Sequence, residues 1–114
     1  MITIYHNNKC SKSRECLRII KEKKLDYMVV EYLKVEFNLY TIKKIVTGIK
    51  GYLNDIIRVK DNNIKGFDID FNNKKQIIKI LFENKSCMQR PIIFNGKEYI
   101  LCRPPEKVLN YTKE

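Results

Sequence analysis

Within the first 32 residues the spacing of apolar side chains changes period twice, and that change leaves few folds open to the chain. Ile2-Thr3-Ile4-Tyr5 alternates and stops at His6-Asn7-Asn8, as a short strand running into a loop does. From Ser11 to about Lys24 the period becomes helical: Cys16, Leu17, Ile19 and Ile20 share one side, with Arg14, Glu15, Arg18, Lys21 and Glu22 opposite. Tyr27-Met28-Val29-Val30-Glu31-Tyr32 then returns to strand formers. Strand, helix and strand in so short a span predict a right-handed parallel crossover.

The rest of the chain has to complete that unit. Leu39, Ile42, Ile45, Val46 and Ile49 carry helical spacing up to about Ile57, interrupted by Gly48 and Gly51. Turn formers between Val59 and Asn73 predict a loop, and Lys74 to Asn84 resumes a helix with Ile77, Ile78, Leu81 and Phe82 facing inward. Pro91-Ile92-Ile93-Phe94, Asn95-Gly96 and Lys97-Glu98-Tyr99-Ile100-Leu101 predict a hairpin, since Asn-Gly supplies the positive φ of a two-residue turn. A short helix from Pro105 to about Tyr111 closes the chain on Val108 and Leu109. The expected fold class is α/β: a mixed four-stranded sheet flanked by helices, with a helical insert at about 38–84, all in one domain spanning 1–114.

No apolar run approaches the roughly 20 residues of a membrane-spanning helix, and Met1-Ile2-Thr3-Ile4-Tyr5 has neither the charged start nor the length of a secretion signal. A soluble, cytoplasmic protein that does not engage a membrane is expected. The formal charge of +10 comes mostly from lysines spread along the chain. Without the aromatic interleaving of single-strand readers, it argues against a nucleic-acid partner.

Four cysteines, Cys10, Cys16, Cys87 and Cys102, form neither a Cys-x-x-Cys pair nor a disulfide framework, which suits a reducing compartment. Cys10 stands apart. At the junction of strand and helix it meets the positive end of the helix dipole and unpartnered backbone N–H groups, which favour thiolate over thiol. Lys9, Lys12 and Arg14 are expected to act in the same direction, and the loop can cradle an anion. His6 is either a group that polarises the thiol, one that shapes the loop by hydrogen bonding, or a packed strand-end residue. Ser13 sits where a redox pair would have its second thiol, and Cys16 lies nearly two turns away. Cys102 precedes Arg103 and could approach the site, although a packing role is preferred. An external thiol is therefore expected to resolve whatever forms on Cys10.

The segment His6-Asn7-Asn8-Lys9-Cys10-Ser11-Lys12-Ser13-Arg14 resembles the active-site loop of the glutaredoxin-linked arsenate reductase family, usually His-Asn-Pro-x-Cys-x-x-Ser-Arg. Gln89-Arg90-Pro91-Ile92 resembles its Arg-Pro-Ile element, and Cys102-Arg103-Pro104-Pro105-Glu106-Lys107-Val108-Leu109 its Arg-Pro-x-Glu-x-Val-Leu ending. The resemblance covers essentially the whole chain. It implies a thioredoxin-like core, with a cis-proline expected at Pro91 opposite the thiol. It also implies a catalytic Cys10 and an oxyanion held by Arg90, Arg103 and, after the insert, Arg58 in Asp55-Ile56-Ile57-Arg58.

The same resemblance implies reduction of arsenate with glutathione as co-substrate and glutaredoxin as partner, no bound cofactor and no metal. A monomer is the default for a protein that must dock a reductant. Two departures stand out: Asn8 replaces proline, which should loosen the loop, and Ser11-Lys12 replaces Gly-Thr, as in a shorter Cys-Ser-Lys-Ser-Arg branch. Two alternatives remain open. One is a glutathione-dependent thiol/disulfide oxidoreductase on another substrate. The other is a redox-responsive transcription regulator binding RNA polymerase, against which Ser13 argues because such regulators carry Cys-x-x-Cys.

Overall fold

The computed structural model describes residues 1–112. Its strands are β1 (Ile2–Tyr5), β2 (Tyr27–Val30), β3 (Ile92–Phe94) and β4 (Tyr99–Leu101). They form one sheet in the order β2-β1-β3-β4, with β1 parallel to β2 and antiparallel to β3, and β3 antiparallel to β4. This is the mixed, thioredoxin-like sheet expected from the sequence. The helices are α1 (Ser11–Glu22), α2 (Leu39–Gly48) and α3 (Lys74–Glu83), and α2 and α3 both fall between β2 and β3.

Alternation along the strands sorts the isoleucine-rich core onto two sides of the sheet. Ile2, Ile4, Ile93 and Ile100 pack with Cys16, Ile19 and Ile20 of α1 and with Val108. Tyr5, Ile92 and Tyr99 point the other way, toward Ile42, Ile45 and Val46 of α2 and Ile77, Ile80 and Leu81 of α3. Each such side chain removed from water stabilises the fold by about 1.5–3 kcal/mol before entropy is counted. Asn38 and Asn73 start α2 and α3 by accepting the backbone N–H of Thr41 and Gln76.

Several sequence expectations shift in detail. The second helical stretch ends at Gly48 and gives way to a single 3-10 turn, Leu53–Asp55, where an α-helix to about Ile57 was expected. In α3 the buried face is Ile77, Ile80 and Leu81, whereas Phe82 is 42% exposed with the Lys85 ammonium over its ring. A step of 100° per residue carries position 82 off the stripe that 77 and 81 define. The closing segment Pro105–Tyr111 is a 3-10 helix, started by the Lys107 N–H on the Pro104 carbonyl.

The hairpin forms, but with its tip one residue later than expected. Phe94 pairs with Tyr99, Asn95 N–H bonds Glu98 O, and only Gly96 of the Asn-Gly pair has positive φ, so Gly96-Lys97 forms the tip. Asn95 contributes through its side chain, accepting the N–H groups of Lys97 and Glu98.

Helix α1 ends in paired bonds from Lys24 N–H to Lys21 O and Leu25 N–H to Ile20 O, with Lys24 at φ +54°. This closure calls for glycine, because a Cβ in the left-handed region costs about 1–2 kcal/mol. Lys24→Gly should therefore stabilise the protein by about 0.5–1 kcal/mol, allowing for glycine's greater freedom when unfolded, and urea unfolding of the two proteins will measure the gain.

Candidate active site

Strand register assembles the site. Tyr5 lies opposite Ile92, and Ile92 opposite Leu101, so the chain leaving β1, the chain entering β3 and the chain leaving β4 meet at one end of the sheet. The three motifs occupy these segments. Cys102 N–H bonds Pro91 O at 2.9 Å, and the Arg103 guanidinium bonds Arg90 O at 2.8 Å. The Arg90–Pro91 peptide is cis, as expected, and so is Arg103–Pro104.

Cys10 occupies the N-cap of α1 with extended backbone, which sets its sulfur at the mouth of the helix. The loop in front of it is braced, contrary to the loosening expected from Asn8. Asn7 accepts the N–H of Lys9 on its side chain and that of Cys10 on its carbonyl, and Arg14 donates to Asn8 O at 3.0 Å. Arg14 thus supports the loop rather than the thiol. Asn7 N–H donates to Ser13 Oγ at 3.1 Å, and Ser13 Oγ lies 2.6 Å from His6 Nδ1.

Both His6 and Ser13 are buried. Burial holds His6 below the ordinary histidine value, against the opposing pull of the Asn8 side chain and Glu31, which favours its neutral form. With the Asn7 N–H already on the oxygen, the Ser13 hydroxyl can donate to Nδ1. Of the three readings open for His6, the structure selects the one that shapes the loop.

Burial alone would raise the Cys10 thiol, but the backbone N–H groups of Ser13 and Lys12 and the Arg90 guanidinium outweigh it, and the net displacement is downward. The cation that matters is Arg90, from across the sheet. Of the expected neighbours, Lys12 acts through its backbone and Arg14 is turned to Asn8. Arg103 also reaches the Cys10 sulfur, with Nη1 at 3.9 Å.

The sulfur opens into a cavity of about 430 Å³ lined by Cys10, Arg58, Lys60, Asp61, Gln89, Arg90 and Arg103 together with Ile57 and Val59. All three arginines expected from the motifs therefore come together with the thiol. Ser86 O accepts from both Arg58, at 3.4 Å, and Arg90, at 3.1 Å, so one carbonyl gathers two like charges. Asp61 offsets part of this charge, 4.0 Å from Arg58, and its other oxygen caps Asn63. The positive excess that remains is suited to a small oxyanion, which guanidinium groups bind through paired N–H donors.

A model of the ArsC family matches residues 5–111. The chain belongs to the ArsC family. The arsenate reductase of Haemophilus influenzae is 32% identical over 112 residues, which cover 95% of this chain and 96% of that protein. The protein YfgD of Escherichia coli is 34% identical over 113 residues, covering 95% and 93%. Among solved structures, an arsenate reductase from Vibrio cholerae superposes with a TM-score of 0.81 at 25% identity over 96% of each chain.

In this ArsC-family site four participants lay outside the sequence reading. Ser86 holds the arginines through its carbonyl, which carries no sequence signal. Lys60 and Asp61 reach the cavity because the turn that follows Arg58 folds over it, Asp61 N–H bonding Arg58 O at 2.9 Å. Tyr32 lies fully buried near Arg90 and Cys10 and donates its hydroxyl to Met88 O at 3.2 Å, its acidity weakened first by burial. Cys102 does not approach the thiol: it is buried against Cys16 on the α1 side of the sheet, an arrangement that suppresses its ionisation.

Two outcomes follow for the thiol and its loop. The rate of Cys10 alkylation by iodoacetamide should rise with pH through a midpoint below that of an ordinary thiol, and Arg90→Ala should move the midpoint upward. Ser13→Ala strands the Asn7 N–H and His6 Nδ1, which should cost about 1–3 kcal/mol in chemical denaturation.

Proposed function

We propose that this chain reduces arsenate to arsenite through a Cys10 thiolate, with glutathione and glutaredoxin supplying the electrons. The observation that carries the reading is a single cavity in which an activated thiol faces Arg58, Arg90 and Arg103. The names of the relatives point to the same substrate.

Arsenate enters with its oxygens on the guanidinium groups and its arsenic toward the sulfur. The Cys10 thiolate forms a sulfur–arsenic bond, and one arsenic–oxygen bond breaks, its oxygen leaving as water once protonated. Backbone N–H donors at the start of α1 and the arginines stabilise the negative charge that builds on the remaining oxygens. Glutathione's thiol replaces a second oxygen, again lost as water. A glutaredoxin thiolate then attacks the glutathione sulfur, and the electron pair of that sulfur–arsenic bond stays on arsenic. Arsenic falls from As(V) to As(III), and the oxidation leaves as a glutathione–glutaredoxin disulfide. Hydroxide displaces Cys10, releasing arsenite and the thiolate. The Ser11-Lys12 pair supports assigning the chain to a Cys-Ser-Lys-Ser-Arg branch of the family, with the same thiol chemistry.

The test is arsenate-dependent NADPH oxidation in the presence of glutathione, glutaredoxin and glutathione reductase. Cys10→Ser should abolish it, and arsenite formation by that variant would contradict the reading. Arg103→Ala should lower kcat by roughly 10²–10³, the usual effect of removing one oxyanion donor. NADPH oxidation when a small disulfide replaces arsenate and glutaredoxin is left out would instead mark a thiol/disulfide oxidoreductase.

A further inference from the structure

The other three cysteines, Cys16, Cys87 and Cys102, are each fully buried, and the position three after Cys10 is held by Ser13. Nothing within the chain can deliver a thiol to Cys10, so the second thiol has to dock from solution. A groove suited to it adjoins the site. A cavity of about 360 Å³ shares Gln89 and Arg103 with the Cys10 cavity and is walled on its far side by Lys50, Tyr52, Asp55 and Lys107. Its size is within the roughly 300–1,000 Å³ of small-molecule sites.

The charges around this groove are of both signs and are separated. Lys107 is half-buried, Asp55 is exposed, and neither forms an ion pair among the described residues, whereas Lys50 is held by Glu98 at 3.2 Å. Tyr52 is 77% exposed on the rim, a large aromatic surface that the fold does not use. An oxyanion needs only positive charge. A lining with a free carboxylate as well as free cations fits a ligand carrying both signs.

We propose that this groove docks glutathione, with a carboxylate on Lys107, the ammonium on Asp55 and the thiol directed past Arg103 toward Cys10. The proposal rests on the reading of Cys10 as the thiol of a glutathione-dependent reductase. Arg103 then belongs to both sites, touching the oxyanion on one side and the incoming peptide on the other. Arsenate and glutathione occupy adjacent cavities, so both can be bound when the second sulfur–arsenic bond forms.

S-methylglutathione, which cannot react, is the probe. Titrated into the ¹⁵N-labelled protein, it should shift the amide signals of Lys50, Asp55, Gln89 and Lys107. Lys107→Glu and Asp55→Lys should each weaken its binding by about fivefold or more. In the coupled assay the same variants should raise the KM for glutathione by a similar factor and leave the KM for arsenate within about twofold. Shifts confined to other residues, or equal affinity in wild type and both variants, would overturn the docking site even if arsenate turnover proceeds. Binding weakened by both variants supports it even if arsenate is not reduced, which separates its failure from that of the proposed reaction.

Discussion

The register of the central strands is the constraint on which the rest of the molecule depends. Tyr5 opposite Ile92 and Ile92 opposite Leu101 put three chain ends at one edge of the sheet. Because β3 runs antiparallel to both neighbours, the exit from β1, the entry to β3 and the exit from β4 coincide there. A slip of one residue would turn Ile4, Ile93 and Ile100 out of the core on the α1 side. Core packing therefore holds Arg90 and Arg103 beside Cys10, and the site inherits its geometry from apolar burial.

Electrostatics at the site follow from that placement. Three guanidinium groups line one cavity beside a thiol, which is costly unless something negative is present. Part of the compensation is built in: Ser86 O takes Arg58 and Arg90, Arg90 O takes Arg103, and Asp61 stands near Arg58. The remainder is available to the Cys10 thiolate and to a bound anion. The same charges thus lower the thiol's pKa and suit the cavity to an oxyanion, so activation and binding are one arrangement. Behind it, the Ser13 bridge between His6 and the Asn7 backbone keeps the loop in shape without adding charge.

Reading residues one at a time failed where a side chain's partner was distant in sequence. Arg14, four residues after the thiol, braces Asn8, while the cations that face Cys10 stand at positions 90 and 103. Asn8 was expected to slacken a loop that in fact carries bonds from Asn7, Ser13 and Arg14. Phe82 looked like a core residue by composition but is set outside by helical phase, and Ser86 and Tyr32 gave no signal because a carbonyl and a buried phenol act only through their surroundings.

The amino-acid sequence by itself determined the order of elements, the hairpin, the position of Cys10 at a helix entrance and the candidacy of Arg58, Arg90 and Arg103. The first three follow from local periodicity and turn chemistry, and the arginines from the resemblance of contiguous motifs to those of a known family. Only the tertiary structure decided which cation faces the sulfur, that His6 serves the loop, that Cys102 is sealed against Cys16, and that a second groove shares Arg103 with the first. Those outcomes depend on strand register and on which side of the sheet each segment covers, and both are settled by packing between residues up to 93 positions apart.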